Sequence, residues 1–215
     1  MNNMKVLLVD DHAVVRAGFR MLLSAQDFIG EISDIDRGEL VSQEYNQFQP
    51  DVVVMDLSMP GIGGLEAIRR LLKQHSDAVV LVYSIHVEAV YIERAIQAGA
   101  KGYVSKNSAP EILAEAVQSV VKGELYIESE LSAETGSDAL DEAEKYREKI
   151  DLLSPREFDV FCLLAKGMTA HEASEQLCLG YKTVANYNTT IKHKLNASTA
   201  AELAHIAMVL GIIKH

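Results

Sequence analysis

Long apolar runs are missing from this 215-residue sequence. No stretch approaches the roughly 18 apolar residues that a bilayer-spanning helix needs. The opening MNNMKVLLVDD has too short an apolar run to read as a signal peptide. A cytoplasmic chain without a membrane partner is the expectation. Cysteine is scarce as well. Cys162 and Cys178 have no CxxC or metal-type spacing, so both are expected to be small buried hydrophobes. Positive charge is short: 20 lysines and arginines face 31 acidic residues, for a net charge of −11. That excludes wholesale affinity for nucleic acid, but not a local basic face. Residues 1–122 hold 16 acidic and 11 basic side chains, 123–150 hold nine and three, and 151–215 hold six of each. The last region is therefore the least acidic, without being basic.

What is present suffices for two domains. Hydrophobic residues make up 48% and charged residues 24%, an ordinary globular balance. Residues 1–122 alternate between continuous apolar runs and amphipathic stretches. KVLLV (5–9), DVVVM (51–55), AVVLVY (78–83) and KGYVS (101–105) read as buried strands, and FIGEISDI as a weaker one. Helical spacing falls between them at 12–24, 37–47, 64–74, 88–99 and 109–122. Strands that are apolar throughout and separated by helices predict a parallel sheet covered on both faces. The expected fold is a five-stranded, doubly wound α/β domain, flavodoxin/CheY-like, with its site at the strand carboxyl ends.

Residues 123–150 are acidic and poor in large apolar side chains. They read as a linker with a solvated helix at 138–150. Residues 151–215 read as an all-α, four-helix domain. Ser154-Pro155-Arg156-Glu157 and Thr169 with Glu172 are two helix-start signatures. A third helix spans 181–195, and a fourth is capped by Ser198 or Thr199. Two short helices joined by CLG suggest a helix-turn-helix. On a helical wheel Val184, Ile191 and Leu195 lie together, flanked by Tyr187, with Lys182, Asn186, Thr189 and His193 opposite.

Five polar residues fall at strand ends: Asp10 and Asp11, Asp56, Ser84 and Lys106. Singly, each has an ordinary reading as a helix cap or surface residue. Together they converge, because strand ends are neighbours in such a sheet. Three close carboxylates repel unless a cation joins them, and a hard, oxygen-seeking ion such as Mg²⁺ fits. A carboxylate there can act as nucleophile toward a phosphoryl group, while a cation and a lysine neutralise the charge that develops.

LLVDDH, DLSMPGIGG, YS and KGYVSK together resemble the receiver domain of two-component response regulators. The resemblance implies Asp56 as phospho-acceptor, Asp10, Asp11 and the Ser58 carbonyl as further Mg²⁺ ligands, Ser84 and Tyr103 as switch residues, and Lys106 as phosphate partner. It also implies a sensor histidine kinase as partner. Phosphorylation would draw Ser84 toward the phosphate and let Tyr103 turn inward. Two residues depart from the pattern. Asn107 stands where receivers often have a cis-proline, so a trans bond is expected. Ile85 follows Ser84 in place of a smaller residue and is expected to narrow the route to Asp56.

The pattern LSPRE, LLAKGMTAHEASEQL, KTVANYNTTIKHKL, AAEL and LGI resembles the LuxR-type output domain of NarL/FixJ response regulators, and GacA/UvrY-like ones in particular. It implies double-stranded DNA as a partner, contacted through Lys182, Thr183, Asn186, Thr189, Lys192 and His193, and a homodimer formed on phosphorylation. Ala170, His171, Gly180, Ala185 and Asn188 stand where the family commonly carries other, often basic or polar, residues. Fewer phosphate contacts predict weaker binding and a shallower salt dependence, offset by pairing two copies on two half-sites. A phosphorylation-controlled transcription regulator, not an enzyme, is the leading expectation. An output domain acting through protein–protein contacts is the alternative, and a phosphatase built on the three aspartates is a third reading.

Overall fold

The computed structural model describes residues 4–129, 131 and 140–213. The chain divides into two compact units, one holding all the strands and the other the helices from Leu140 onward.

The first unit is a parallel sheet in the order β2-β1-β3-β4-β5-β6. Its strands are β1 (Met4–Val9), β2 (Ile29–Ile35), β3 (Val52–Met55), β4 (Val80–Ser84), β5 (Gly102–Ser105) and β6 (Tyr126–Ile127). The helices are α1 (Ala13–Ser24), α2 (Val41–Phe48), α3 (Gly63–Gln74), α4 (Ala89–Gln97) and α5 (Pro110–Val121). Every position of β3, β4 and β5 is buried, as expected for strands covered on both sides. Alternate residues face alternate layers. Val6, Leu8, Val52, Val54, Leu81 and Val104 pack with Leu23 of α1 and with Leu113, Ala116, Val117 and Val120 of α5.

The sixth strand corrects the five-stranded expectation. The polar composition of 123–129 suggested a linker, yet Tyr126 N–H donates to Lys101 O at 3.1 Å and Glu128 N–H to Tyr103 O at 3.2 Å. A two-residue strand leaves almost no periodic signal, so its pairing comes from the neighbouring edge rather than from its own sequence.

The second unit has α6 (Leu140–Asp151), α7 (Pro155–Ala165), α8 (Ala170–Gln176), α9 (Tyr181–Leu195) and α10 (Ala200–Val209). The four helices expected in 151–215 form as α7 to α10, and α6 falls where a helix was expected at 138–150. The helix expected to be solvated at 138–150 instead packs on α9 and α10. Ile150 is fully buried, Lys149 Nζ donates to Leu195 O at 3.2 Å, and the Tyr146 ring meets His205 edge-on. One apolar anchor and one capping lysine suffice to dock an otherwise charged helix. Around Phe158, Phe161, Val184, Ile191, Leu203 and Ile206 the unit forms its own core. Ile191→Ala would cost about 2–5 kcal/mol through lost burial and the cavity left behind.

Both expected helix starts form. Ser154 Oγ accepts from Glu157 N–H at 3.3 Å while Glu157 Oε2 accepts from Ser154 N–H at 2.7 Å. Thr169 and Glu172 repeat the pattern. Each cap is worth about 1 kcal/mol. Of the two candidates for α10, Thr199 is the cap, and its hydroxyl accepts from Glu202 N–H at 3.2 Å. Cys162 is buried as expected, but Cys178 is exposed and adopts a left-handed φ of 52° in the turn between α8 and α9. The turn geometry points its side chain outward, which the sequence pattern did not reveal. No helix among the described residues is long and apolar enough to cross a membrane.

Candidate phosphoryl-acceptor site and nucleic-acid interface

The sheet brings its carboxyl ends together as expected. Asp56 N–H donates to Val9 O at 2.8 Å and Asp10 N–H to Ile35 O at 3.2 Å, so both aspartates are fixed by the ladder of strands they terminate. The loop after Asp56 is shaped by the run GIGG. Gly63 has a φ of 70°, a conformation that favours glycine. A Cβ on Gly64 would lie 2.1 Å from the Asp56 carbonyl oxygen, so only glycine lets α3 start this close to β3. Glu39 holds the same loop by accepting from Ile62 N–H at 2.9 Å.

Asp10 and Asp56 are buried, and Lys106 Nζ lies between them, 2.6 Å from Asp10 Oδ2 and 2.8 Å from Asp56 Oδ2. Asp56 Oδ1 accepts from Ser58 N–H at 3.2 Å, and Asp10 Oδ1 from His12 N–H at 2.7 Å. Burial pushes the Asp56 carboxyl above its ordinary value, and Asp10 adds to this against the opposing pull of Lys106 and Ser58. Burial works against the Lys106 charge, but Asp56 and Asp10 raise its pKa overall. The lysine therefore stays an ammonium.

Asp10, Asp11, Asp56 and His12 each offer a ligand atom within 4.8 Å of the others. Asp11 Oδ1 is buried and receives no hydrogen bond; His12 Nδ1, 3.0 Å away, is not aligned to give one. Three carboxylates against one ammonium leave two negative charges uncompensated. An orphaned buried oxygen and that surplus both fit a hard divalent cation.

The remaining expected residues sit around this centre. Ser84 is fully buried at the end of β4, and its Oγ accepts from His86 N–H at 3.2 Å. Ser58 Oγ and His86 Nε2 are 3.0 Å apart. Tyr103 is completely buried, with its hydroxyl donating to His86 O at 2.8 Å. The Tyr103 ring thus lies inward. Asn107 follows a trans bond, as expected, since no described peptide is cis. Ile85 is 56% exposed. Asp11 does not cap α1, whose N-cap is His12 with no side-chain bond.

Three residues near the centre had not been singled out in the sequence. His12 follows the aspartate pair directly, and that adjacency was a usable signal. His86 lies two positions past the strand-end serine. Glu128 left no signal, because its partners are 20 and 23 residues away.

In the second unit α9 divides as its wheel requires. Val184, Ile191 and Leu195 are buried, while Lys182, Thr183, Asn186, Thr189 and His193 are exposed. Thr189 Oγ1 donates to Ala185 O at 3.1 Å, leaving its lone pairs outward. Lys192 is half-buried, and its Nζ donates to Ser198 O at 3.2 Å, beside rather than on the exposed face. Asn188 is also half-buried, with Oδ1 sealed from solvent. Lys194 is committed internally: its ammonium meets Glu157 Oε2 at 2.6 Å and Leu152 O at 3.0 Å. The exposed face of α9 therefore offers one lysine, neutral hydrogen-bonding groups and a histidine.

Comparison with known proteins places these two units. Residues 6–118 match the response regulator receiver domain, and residues 151–207 match the bacterial regulatory proteins of the luxR family. The chain is 38% identical over 207 residues to the response regulator UvrY of Escherichia coli, covering 96% of this chain and 94% of that one. It is 36% identical over 217 residues to the transcriptional activator protein ExaE of Pseudomonas putida, covering 98% and 99%. The fold is shared with the RcsB response regulator of Salmonella typhimurium, with a TM-score of 0.68 at 24% identity over 97% of this chain and 99% of that one. Of these relatives, ExaE is named as a transcriptional activator and UvrY as a response regulator. The chain accordingly belongs to the two-component response regulators of the NarL/FixJ type, with a receiver domain and a LuxR-type DNA-binding output domain.

Proposed function

We propose that this regulator is switched by phosphorylation of Asp56 and acts in the cytoplasm by binding DNA as a homodimer. The observation that carries this reading is the buried Asp10–Lys106–Asp56 arrangement with the orphaned Asp11 oxygen beside it. Asp10, Asp11 and Asp56, with the Ser58 carbonyl, would hold Mg²⁺, which supplies positive charge to the phosphoryl oxygens when bound. Asp56 contributes the nucleophile: one carboxylate oxygen forms the bond to phosphorus as the donor's bond to phosphorus breaks, and the leaving group keeps that electron pair. Burial excludes competing water from the nucleophile. Lys106, already an ammonium within hydrogen-bond reach of Asp56, is placed to take one phosphoryl oxygen, and the Ser84 hydroxyl to donate to another. The Ser84 move changes what His86 can hold, because its backbone N–H meets Ser84 and its carbonyl meets Tyr103. Phosphorylation then shifts a pre-existing equilibrium between packings of this face.

A sensor histidine kinase is the partner this reading requires. α1 begins beside the acidic pocket and carries an exposed apolar stripe through Val14, Gly18, Met21 and Leu22. A stripe at helical spacing that remains in solvent suits a partner helix. On the DNA side, Asn186 suits an adenine edge and Lys182 a phosphate or guanine. The relative's name, transcriptional activator, suits this output.

Treatment of the full chain with acetyl phosphate and Mg²⁺ should label Asp56 and raise both dimer fraction and DNA binding. The absence of label in wild type, with Asp56→Asn behaving identically, would remove the reading. The balanced charge of residues 151–215 favours a second reading, in which the output binds another regulator. Failure of the phosphorylated dimer to bind promoter DNA at low salt would favour that second reading.

A further inference from the structure

We propose that Glu128 is a positioning residue for phosphoryl transfer, a carboxylate placed just after β6 that fixes the loop carrying Lys106. The proposal rests on the reading of Asp56 as phospho-acceptor. It begins at Gly123, where a φ of 87° ends α5 and turns the chain back along the free edge of β5. Tyr126 donates its backbone N–H to Lys101 O, just before β5, and Glu128 to Tyr103 O of β5, so the two share one side of the added segment. Tyr126 packs on the apolar core. Glu128, two residues on, reaches the carboxyl end of the sheet.

There its side chain is buried, with only 5% exposed. Glu128 Oε2 accepts from Ser105 N–H at 2.9 Å, and Oε1 accepts from the Ser108 hydroxyl. Lys106 lies between these two anchors. The rest of the loop is tied in the same way: Lys106 N–H donates to Ser84 O at 2.8 Å, Asn107 N–H to Ser105 Oγ at 3.1 Å, and Ser108 N–H to Ser105 O at 3.2 Å. Tyr83, whose hydroxyl reaches toward Lys106 O at 3.5 Å, has its pKa pushed up to about 12 by burial, with Glu128 adding to it.

Burying a carboxylate is costly, and an apolar residue at 128 would fill the same space without that cost. The return is a loop whose backbone cannot drift. Lys106 has a long, flexible side chain, and its ammonium must meet both Asp10 and Asp56. A misplacement of about 1 Å in a positioned group can slow a reaction by about 100-fold. No proline restrains this loop, since position 107 is asparagine. Glu128 supplies the restraint from just after β6 instead.

The test uses the full chain, acetyl phosphate and saturating Mg²⁺, with the rate of Asp56 labelling as readout. Glu128→Ala should slow labelling by about 10-fold while leaving the Mg²⁺ concentration for half-maximal rate within about twofold of wild type. Glu128→Gln keeps the length and an acceptor for Ser105 N–H, and should label at close to the wild-type rate. Glu128→Asp keeps the charge but is one methylene shorter, and should side with alanine. Because the effect runs through Lys106, adding Glu128→Ala to Lys106→Ala should slow labelling no further. The Ser105 amide should lose protection from hydrogen exchange in Glu128→Ala. Ser108→Ala removes a single hydroxyl and carries the test should Glu128→Ala fail to fold; it should slow labelling about threefold. A wild-type rate in Glu128→Ala, additive slowing in the double variant, or a Glu128→Gln as slow as alanine would overturn the proposal. A wild type that takes no label at all would instead overturn the phospho-acceptor reading, and this proposal with it.

Discussion

The receiver unit and the output unit use polar residues in opposite ways. In the receiver they are buried and bound to one another across the sheet, with Asp10, Asp56, Ser84 and Glu128 all nearly sealed from solvent. In the output, the polar residues of α9 that face outward bond their own helix or wait in water. A buried ionic cluster is tolerated only when geometry and charge are closely matched, so its chemistry is nearly fixed by its composition. A solvated helix face is tolerated whatever it does. Polar residues therefore say much in the first unit and little in the second.

The strongest way to break this contrast is at the receiver's ion cluster. Lys106→Met should leave two buried carboxylates facing each other and destabilise the receiver by about 3–5 kcal/mol. Added Mg²⁺ should restore more stability to this variant than to wild type, as read from thermal melts with and without the ion. No Mg²⁺ stabilisation of either protein would mean that the cluster is not a cation site. Next in size is Gly64→Ala, whose Cβ would strike the Asp56 carbonyl. A backbone shift of α3 should cost about 1–3 kcal/mol and slow Asp56 labelling. A variant matching wild type in both would show the close approach to be unimportant.

The output unit has one buried charge of its own, and pH tests it. Glu157 is mostly buried, which works against its charge, yet Lys194 and the Ser154 groups hold its pKa below the ordinary carboxylate range. Its contribution to stability is therefore present above the unfolded value of 4.5 and lost as pH falls through the folded value. Glu157→Gln should be less stable than wild type by about 1–2 kcal/mol at neutral pH, and the two should converge on acidification. A gap that stays constant down to low pH would show that the charge contributes nothing.

The smallest expected effects lie on the exposed face of α9. Lys182→Ala should weaken DNA binding at every sequence and reduce the slope of log affinity against log salt by about one. Ala185→Lys should raise affinity and steepen the slope by a similar amount. Arginine at 188 is a poorer probe than the sequence suggested, because Asn188 lies against the buried face. Salt slopes unchanged by both Lys182→Ala and Ala185→Lys would place DNA elsewhere, or favour the protein-binding alternative.

Much of this was legible in one dimension. The strand-end residues Asp10, Asp56, Ser84 and Lys106 could be brought together on paper, because a parallel sheet leaves their relative positions little freedom. The wheel of α9 was legible for the same reason, since 3.6-residue periodicity sorts Val184 from Lys182 without knowing the partner. The helix caps at Ser154 and Thr169 were local and were read correctly. Composition failed where a segment takes its structure from a neighbour. Residues 123–129 look like a linker, yet they complete the sheet because β5 offers a free edge. α6 looks solvated, yet Ile150 and Lys149 dock it.

By itself, then, the sequence determined the order of the first five strands and their helices, the acidic pocket and the outward face of α9. Each follows from periodicity or from a short motif acting on its immediate surroundings. Only the tertiary structure decided that the Tyr103 hydroxyl meets His86 O, that Lys192 bonds Ser198, and that Glu128 grips the loop bearing Lys106. Those outcomes depend on which buried donor meets which acceptor. Residues far apart in the chain compete for those partners, and hydrogen bonds sealed from water allow few alternatives.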